Sequence, residues 1–259
     1  MGFYRCMPSS SGGGGDAASY TATIDGELAA QASLAYAFYA NNNINGAIVI
    51  GDNVTNCTYM FQSSQFNGPV TIGKNVKNCR YMFSQAVLFN QPLTIPANVN
   101  DLWYLFANAR SFNSPVTFLG NNFTSMEGVF QGCGNYNQSI IIPHGVTGTY
   151  AMFNNAKNFN QDVYIPSTVY GLYNMFRNAW NFGKNIYINN ANGALNCTNM
   201  MISMNNSIRK NIFLSNLQAI TSLSGASSIV GASISWSAIT NGYYNARYNI
   251  YLYSNYSGT

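Results

Sequence analysis

Charge is the scarcest thing in this chain: only 7% of its 259 residues are Asp, Glu, Lys or Arg, and the formal net charge is +4. The basic residues are scattered, so no Lys/Arg stripe argues for a nucleic-acid partner. Acids are rarer still. Within the body of the chain they reduce to Asp52, Asp101, Glu127 and Asp162, each in a different local context. Nothing predicts the pair of neighbouring carboxylates that glycoside hydrolysis needs. The one histidine, His144, follows Pro143 in a turn and reads as an ordinary surface residue. A metal site of His type and a Cys/His triad therefore lack members, and the chain is expected to be no enzyme and to use no cofactor or metal. The five cysteines are odd in number and unpaired in spacing, which excludes a disulfide framework. No apolar run approaches the roughly 18 residues of a membrane span, so no membrane insertion is expected. The first eight residues lack the apolar core of a secretory signal.

What is abundant is repetition. The stretch Cys79-Arg80-Tyr81-Met82-Phe83 leads to Phe89-Asn90-Gln91-Pro92-Leu93-Thr94-Ile95-Pro96, and close copies lie on both sides. Taking the first Phe of each copy as a marker gives Phe38, Phe61, Phe83, Phe106, Phe130, Phe153 and Phe176, with Met201 as a degenerate last member. Successive differences are 22 to 25 residues. A period in that range predicts a solenoid, in which each coil buries its apolar face against its neighbours.

Each copy has two halves. Counted from the marker, positions −4, −1, 0 and +3 are apolar or small, as in Cys79, Met82, Phe83 and Ala86. That is one face of a short helix. A second aromatic and an Asn follow, for example Phe89-Asn90 and Phe112-Asn113, and stacked Asn side chains are expected to hydrogen-bond from coil to coil. A short β-run comes next, with inward residues two apart: Val70/Ile72, Leu93/Ile95, Val116/Phe118, Ile140/Ile142 and so on to Ile212/Leu214. Proline brackets these runs and never sits inside them, as a strand requires. The expected fold is α/β: a leucine-rich-repeat-like solenoid of about eight coils, one parallel β-ladder backed by short helices. Residues 1–16 read as a flexible anchoring arm and 17–33 as an N-terminal cap, ahead of the solenoid at 34–215. In 216–259 a degenerate last coil carries Ile234 and Trp236, and Asn241-Gly242 predicts an antiparallel β-hairpin that closes the sheet edge.

The pattern Met-Phe-x-x-Ala-x-x-Phe-Asn, followed by a strand ending in Ile-Pro, stands at Met82–Pro96 and again at Met152–Pro166. It resembles the BspA-type leucine-rich repeats, in the Met-Phe…Phe-Asn variant found in many bacterial surface lipoproteins. The resemblance covers about Leu34 to Leu214 and implies surface attachment or adhesion. Such surface proteins carry an export signal, whereas the N-terminus here reads as an anchoring arm. The expectation is therefore a bacteriophage virion protein held to other virion proteins through residues 1–16, with a host-surface glycan or protein as its outward partner. The alternatives are a purely structural decoration or tail-assembly protein, and a bacterial surface adhesin; a homo-oligomer fits any of them.

Three positions stand out. Cys57, Cys79 and Cys197 fill the apolar −4 slot and read as buried thiols, since parallel side chains on neighbouring coils suit a disulfide poorly. Position −2, on the face away from the core, is Tyr36, Tyr59, Tyr81 and Tyr104 in successive coils, then Gly128, Ala151 and Asn174. The outward residue of each strand is Val49, Thr71, Thr94 and Thr117, then Ile141, Tyr164, Tyr187 and Phe213. Thr suits a solvated sheet, but the last four make an apolar line where water is expected. Both stripes are candidate binding surfaces, and packing within the chain is the competing explanation for each.

Overall fold

The computed structural model describes residues 22–23, 31–44, 46–189, 196–197, 200–201, 210–214 and 248–252. Its regular elements are short parallel strands: β1 (Ala22–Thr23), β2 (Ile48–Val49), β3 (Val70–Thr71), β4 (Leu93–Ile95), β5 (Val116–Phe118), β6 (Val163–Ile165), β7 (Asn185–Ile188), β8 (Lys210–Leu214) and β9 (Tyr248–Leu252). Each pairs with its sequence neighbour in register, as in Leu93 opposite Val116 and Tyr164 opposite Tyr187. The expected single ladder is three sheets, β1-β2-β3, β4-β5 and β6-β7-β8-β9. One gap falls between β3 and β4. The other surrounds Ile140–Ile142, whose two flanking residues are buried and whose middle one is exposed, as in a strand, yet which joins no sheet.

The helices are corrected. Among the described residues none forms, and the segment from −4 to +3 is a run of turns stacked on its counterpart in the next repeat. Alternate N–H groups point in two directions. Those of Cys57, Tyr59, Phe61 and Ser63 donate to carbonyls of Asn78, Arg80, Met82 and Ser84 in the following repeat, at 2.8–2.9 Å. Those of Met60, Gln62 and Ser64 donate back three residues, to Cys57, Tyr59 and Phe61. The apolar spacing of 3, 1 and 3 is shared by a helix and by such a double turn, so periodicity could not separate them. Spacing between repeats does. Strands in a sheet lie about 4.8 Å apart, and a helix is about 10 Å across with every N–H spent internally. Helices on one edge would force the repeats apart, whereas turns stack at the strand distance and share their hydrogen bonds.

The core runs through these layers. The marker phenylalanines are buried and form a column, with ring centroids 5.2–5.8 Å apart from Phe38 to Phe176. A second buried column, Phe66, Phe89, Phe112, Tyr136, Phe159 and Phe182, packs beside it. Within a repeat the two rings lie 3.9–4.5 Å apart. From β2 to β7 the inward strand residues are buried except Val116 and Phe118, which are only partly so. The −4 slot holds buried free thiols at Cys57, Cys79 and Cys197, and Cys133 is a further one at +3. Burial pushes the thiols of Cys57 and Cys197 up to about 12.

The expected Asn ladder is present. The Oδ1 of Asn67, Asn90, Asn113, Asn137 and Asn160 accepts from the backbone N–H of Asn90, Asn113, Asn137, Asn160 and Gly183 respectively, at 2.7–2.9 Å. A second line at −5 closes local turns: Oδ1 of Asn56, Asn78 and Asp101 accepts from the N–H two residues on, at 2.9–3.0 Å.

The C-terminal expectation changes. Ile234, Trp236 and the Asn241-Gly242 turn lie outside the described residues, as does the arm at 1–16. What is described is that β9 runs parallel to β8, with Ile212 opposite Ile250 and Leu214 opposite Leu252. Both edges of β8 are thus taken by parallel partners, β7 and β9, and the first strand and turn of the expected hairpin lie outside the described residues. Asn185-Ile186-Tyr187-Ile188, Asn211-Ile212-Phe213-Leu214 and Asn249-Ile250-Tyr251-Leu252 are three copies of one strand motif, which accounts for the parallel register.

Candidate functional site

The Tyr stripe forms as a column. Tyr36, Tyr59, Tyr81 and Tyr104 stack with centroids 4.7, 4.9 and 5.2 Å apart and planes within 22° of parallel. Each sits at a left-handed backbone position, φ 53–60°, where a bulky residue is strained by roughly 1–2 kcal/mol. Gly128 and Asn174 fill the same position further along, as that backbone prefers. Ring stacking, about 0.5–1.5 kcal/mol per pair, offsets the strain. The rings therefore face one another and present edges and hydroxyls outward. Only Tyr36, 55% exposed, ends the column openly on one side. At the other end the Tyr104 ring lies where a Gly128 side chain would begin, and its hydroxyl donates to Glu127 Oε1 at 3.2 Å. Burial first, then Glu127, pushes the Tyr104 phenol up to about 12, and burial likewise raises that of Tyr81. Beside the column, the Arg80 guanidinium lies 4.0 Å over the Trp103 ring, a contact the sequence reading missed.

The strand-face stripe behaves differently. Ile141 is 80% exposed and Tyr164 38% exposed. Tyr187 stacks on Tyr164 at 4.6 Å and 6°, and receives a hydrogen bond from Asn185 Nδ2 at 3.1 Å. Phe213 continues the register opposite Tyr187. The two stripes lie on different segments of the repeat, one on stacked turns and one on strands.

Ile141 and Tyr164 line an open groove of about 1020 Å³ at the second gap in the sheet. Its apolar side is the partly buried pair Val116 and Phe118 with Ile140; its polar side is Asn121, Ser139, Gln161, Asp162 and Lys184. The sequence reading missed this groove although a signal was available. The step from Phe106 to Phe130 is 24 residues. Phe118 to Phe123 takes five steps where Ile95 to Val99 and Ile142 to Val146 take four, so one extra residue sits in the turn after β5. That turn, Leu119-Gly120-Asn121, forms one wall of the groove. The isolated bridges linking Ser33, Asn56, Asn78 and Asp101, and those linking Ser125, Gly148, Gly171 and Asn196, are likewise not joined across it.

Among the described residues no three His, Cys, Asp or Glu side chains gather to hold a metal, and no helix is long and apolar enough to cross a membrane. Comparison with curated proteins and with solved structures gave no match. A family model does match, over residues 32–144 and again over 121–216. The two stretches together cover well over half of the chain, and the match is consistent with BspA-type repeats. The protein therefore belongs to the family described as Mycoplasma protein of unknown function, DUF285.

Proposed function

We propose that the chain is a non-enzymatic attachment module: a continuous solenoid of about eight coils, held to its carrier by residues 1–16 and presenting its strand face to a partner. The observation that carries this reading is the change along one line of positions. Thr71, Thr94 and Thr117 give way to Ile141 and Tyr164 where the sheet parts into a groove. A repeat that satisfies its own backbone through stacking has no structural need for exposed apolar groups there, and exposed aromatic patches mark interaction surfaces. In its virion form, the carrier is a bacteriophage particle and the partner lies on the host surface. The family description, which names Mycoplasma, favours a second form, in which the carrier is a bacterial cell surface. A purely structural decoration protein is the remaining alternative.

The test is direct binding. The full chain, fluorescently labelled, is applied to a panel of bacterial and animal cells, beside a variant with Ile141→Thr and Tyr164→Thr that restores the Thr line. Saturable binding of the wild type, lost in the variant at unchanged melting temperature, supports attachment. Absence of binding to every cell type would leave the structural role. A chain beginning at Asp16 should fold normally and fail to join its carrier; normal incorporation would remove the anchoring role from the arm.

A further inference from the structure

We infer that the groove beside β5 is a subsite for a neutral glycan chain, an inference that rests on the attachment reading and names its ligand class. The lining is chemically mixed in a specific way. Val116, Phe118 and Ile140 give an apolar floor, Tyr164 an aromatic wall, and Asn121, Gln161 and Asp162 planar polar groups around them. The Tyr164 ring, stacked on Tyr187 of the following repeat, lines the groove. A pyranose ring offers the complement, an apolar C–H face for an aromatic ring and a rim of hydroxyls that donate and accept. A small set of placed polar groups in an otherwise apolar cleft is how pockets fix a ligand's orientation.

Charge narrows the class. Asp162 and Lys184 are the charged side chains on the lining and they cancel. Nothing there would favour an anionic sugar, a phosphate or a basic peptide. Asp162 Oδ1 already accepts from the backbone N–H of Asn185 at 2.8 Å, which orients the carboxylate and leaves its other oxygen for a ligand hydroxyl.

Backbone geometry separates a glycan from an added β-strand. Ile140–Ile142 pairs with neither β5 nor β6, so its peptide groups have no ladder partners. A strand inserted at either side would need the flanking repeats to move to about twice the 4.8 Å strand spacing. The Asn ladder forbids that. Asn137 N–H to Asn113 Oδ1 and Asn160 N–H to Asn137 Oδ1 are both 2.8 Å, holding the three repeats at ordinary spacing just before the groove. Hydroxyls, by contrast, meet single N–H and C=O groups in any register.

The full chain is tested on an array carrying neutral oligosaccharides, sialylated oligosaccharides and peptides, and hits are titrated by calorimetry. Binding to neutral oligosaccharides is expected, with affinity falling by about tenfold or more in Tyr164→Thr and in Gln161→Ala. Leu88→Ser, at an exposed position that does not line the groove, is expected to leave it unchanged. Array binding confined to sialylated sugars or to peptides, or insensitive to both groove variants, overturns the inference. Cell binding is measured separately after periodate oxidation of surface sugars and after protease. Binding that survives periodate and is lost to protease refutes the glycan while keeping attachment. Neutral-sugar binding on the array without binding to any cell keeps the subsite and sinks attachment.

Discussion

A phenylalanine in this chain has both ring faces against other rings. Phe106 lies 5.7 Å from Phe83 and from Phe130, and 4.0 Å from Phe112 in its own repeat. Phe106→Ala is expected to cost about 3–5 kcal/mol, the range for a fully buried Phe, read by chemical denaturation; a loss below about 1 kcal/mol would contradict the register. Tyr136 is the exception in the second column. It stacks like its neighbours, yet its hydroxyl is buried without a hydrogen-bond partner among the described residues. A buried unsatisfied donor costs about 1–3 kcal/mol, so Tyr136→Phe should raise the melting temperature, and a clear drop would mean the hydroxyl has a role. At this scale the aromatic columns were legible in the sequence, whereas the partial exposure of Val116 and Phe118 and the Arg80–Trp103 contact were not. Burial follows from residue type at a fixed offset, and every marker from Phe38 to Met201 is in the core.

Elements were less legible, because local periodicity underdetermines backbone conformation. Leu102, Leu105, Phe106 and Ala109 suit a helical face and a double turn equally well. What decides is the fate of alternate N–H groups, set by the next repeat and not by the local stretch. At the C-terminus the strand motif at Asn249–Leu252 repeats that of two earlier strands and pairs as they do. The Asn ladder was legible because one residue type recurs at one offset. Its contribution can be measured at Asn137, whose side chain accepts from Asn160 N–H at 2.8 Å and from Gln161 Nε2 at 3.2 Å. Asn137→Ala should cost about 1–2 kcal/mol by denaturant titration. Asn137→Asp keeps the accepting oxygen and should cost less; equal losses would show that the ladder is not what Asn137 supplies. The groove was missed for the opposite reason. It comes from a departure from the repeat, one residue after β5, and a search for what recurs passes over it.

For the whole molecule, stability is expected to be a sum over repeats and the contacts between them. Deleting residues 154–176, one full period between Phe153 and Phe176, should leave a folded chain with a proportionately smaller denaturant m-value. Deleting only 154–165 destroys the register and should unfold it, as circular dichroism would report. High pH acts on many repeats at once. The thiols of Cys57 and Cys197, ordinarily 9.0, are raised to about 12, and the Tyr104 phenol, ordinarily 10.0, also to about 12. A raised value means the unfolded chain releases protons before the folded one does. This contribution is whole below pH 9 and is lost as pH climbs toward 12. Melting temperature should therefore fall steadily from pH 9 upward, and a flat profile to pH 12 would contradict the burial of these groups.

The alternating N–H pattern of the stacked turns also gives the molecule a polarity. The donors at −4, −2, 0 and +2 of one repeat reach forward to the next, as those of Cys57, Tyr59, Phe61 and Ser63 do. Along these turns, a cut between repeats thus leaves the upstream piece ending in a comb of bare donors and the downstream piece beginning with a matching comb of bare acceptors. The two broken surfaces differ from each other yet fit any other copy of their opposite. Proteolytic fragments would accordingly meet head to tail, a contact that does not close on itself and so grows into threads.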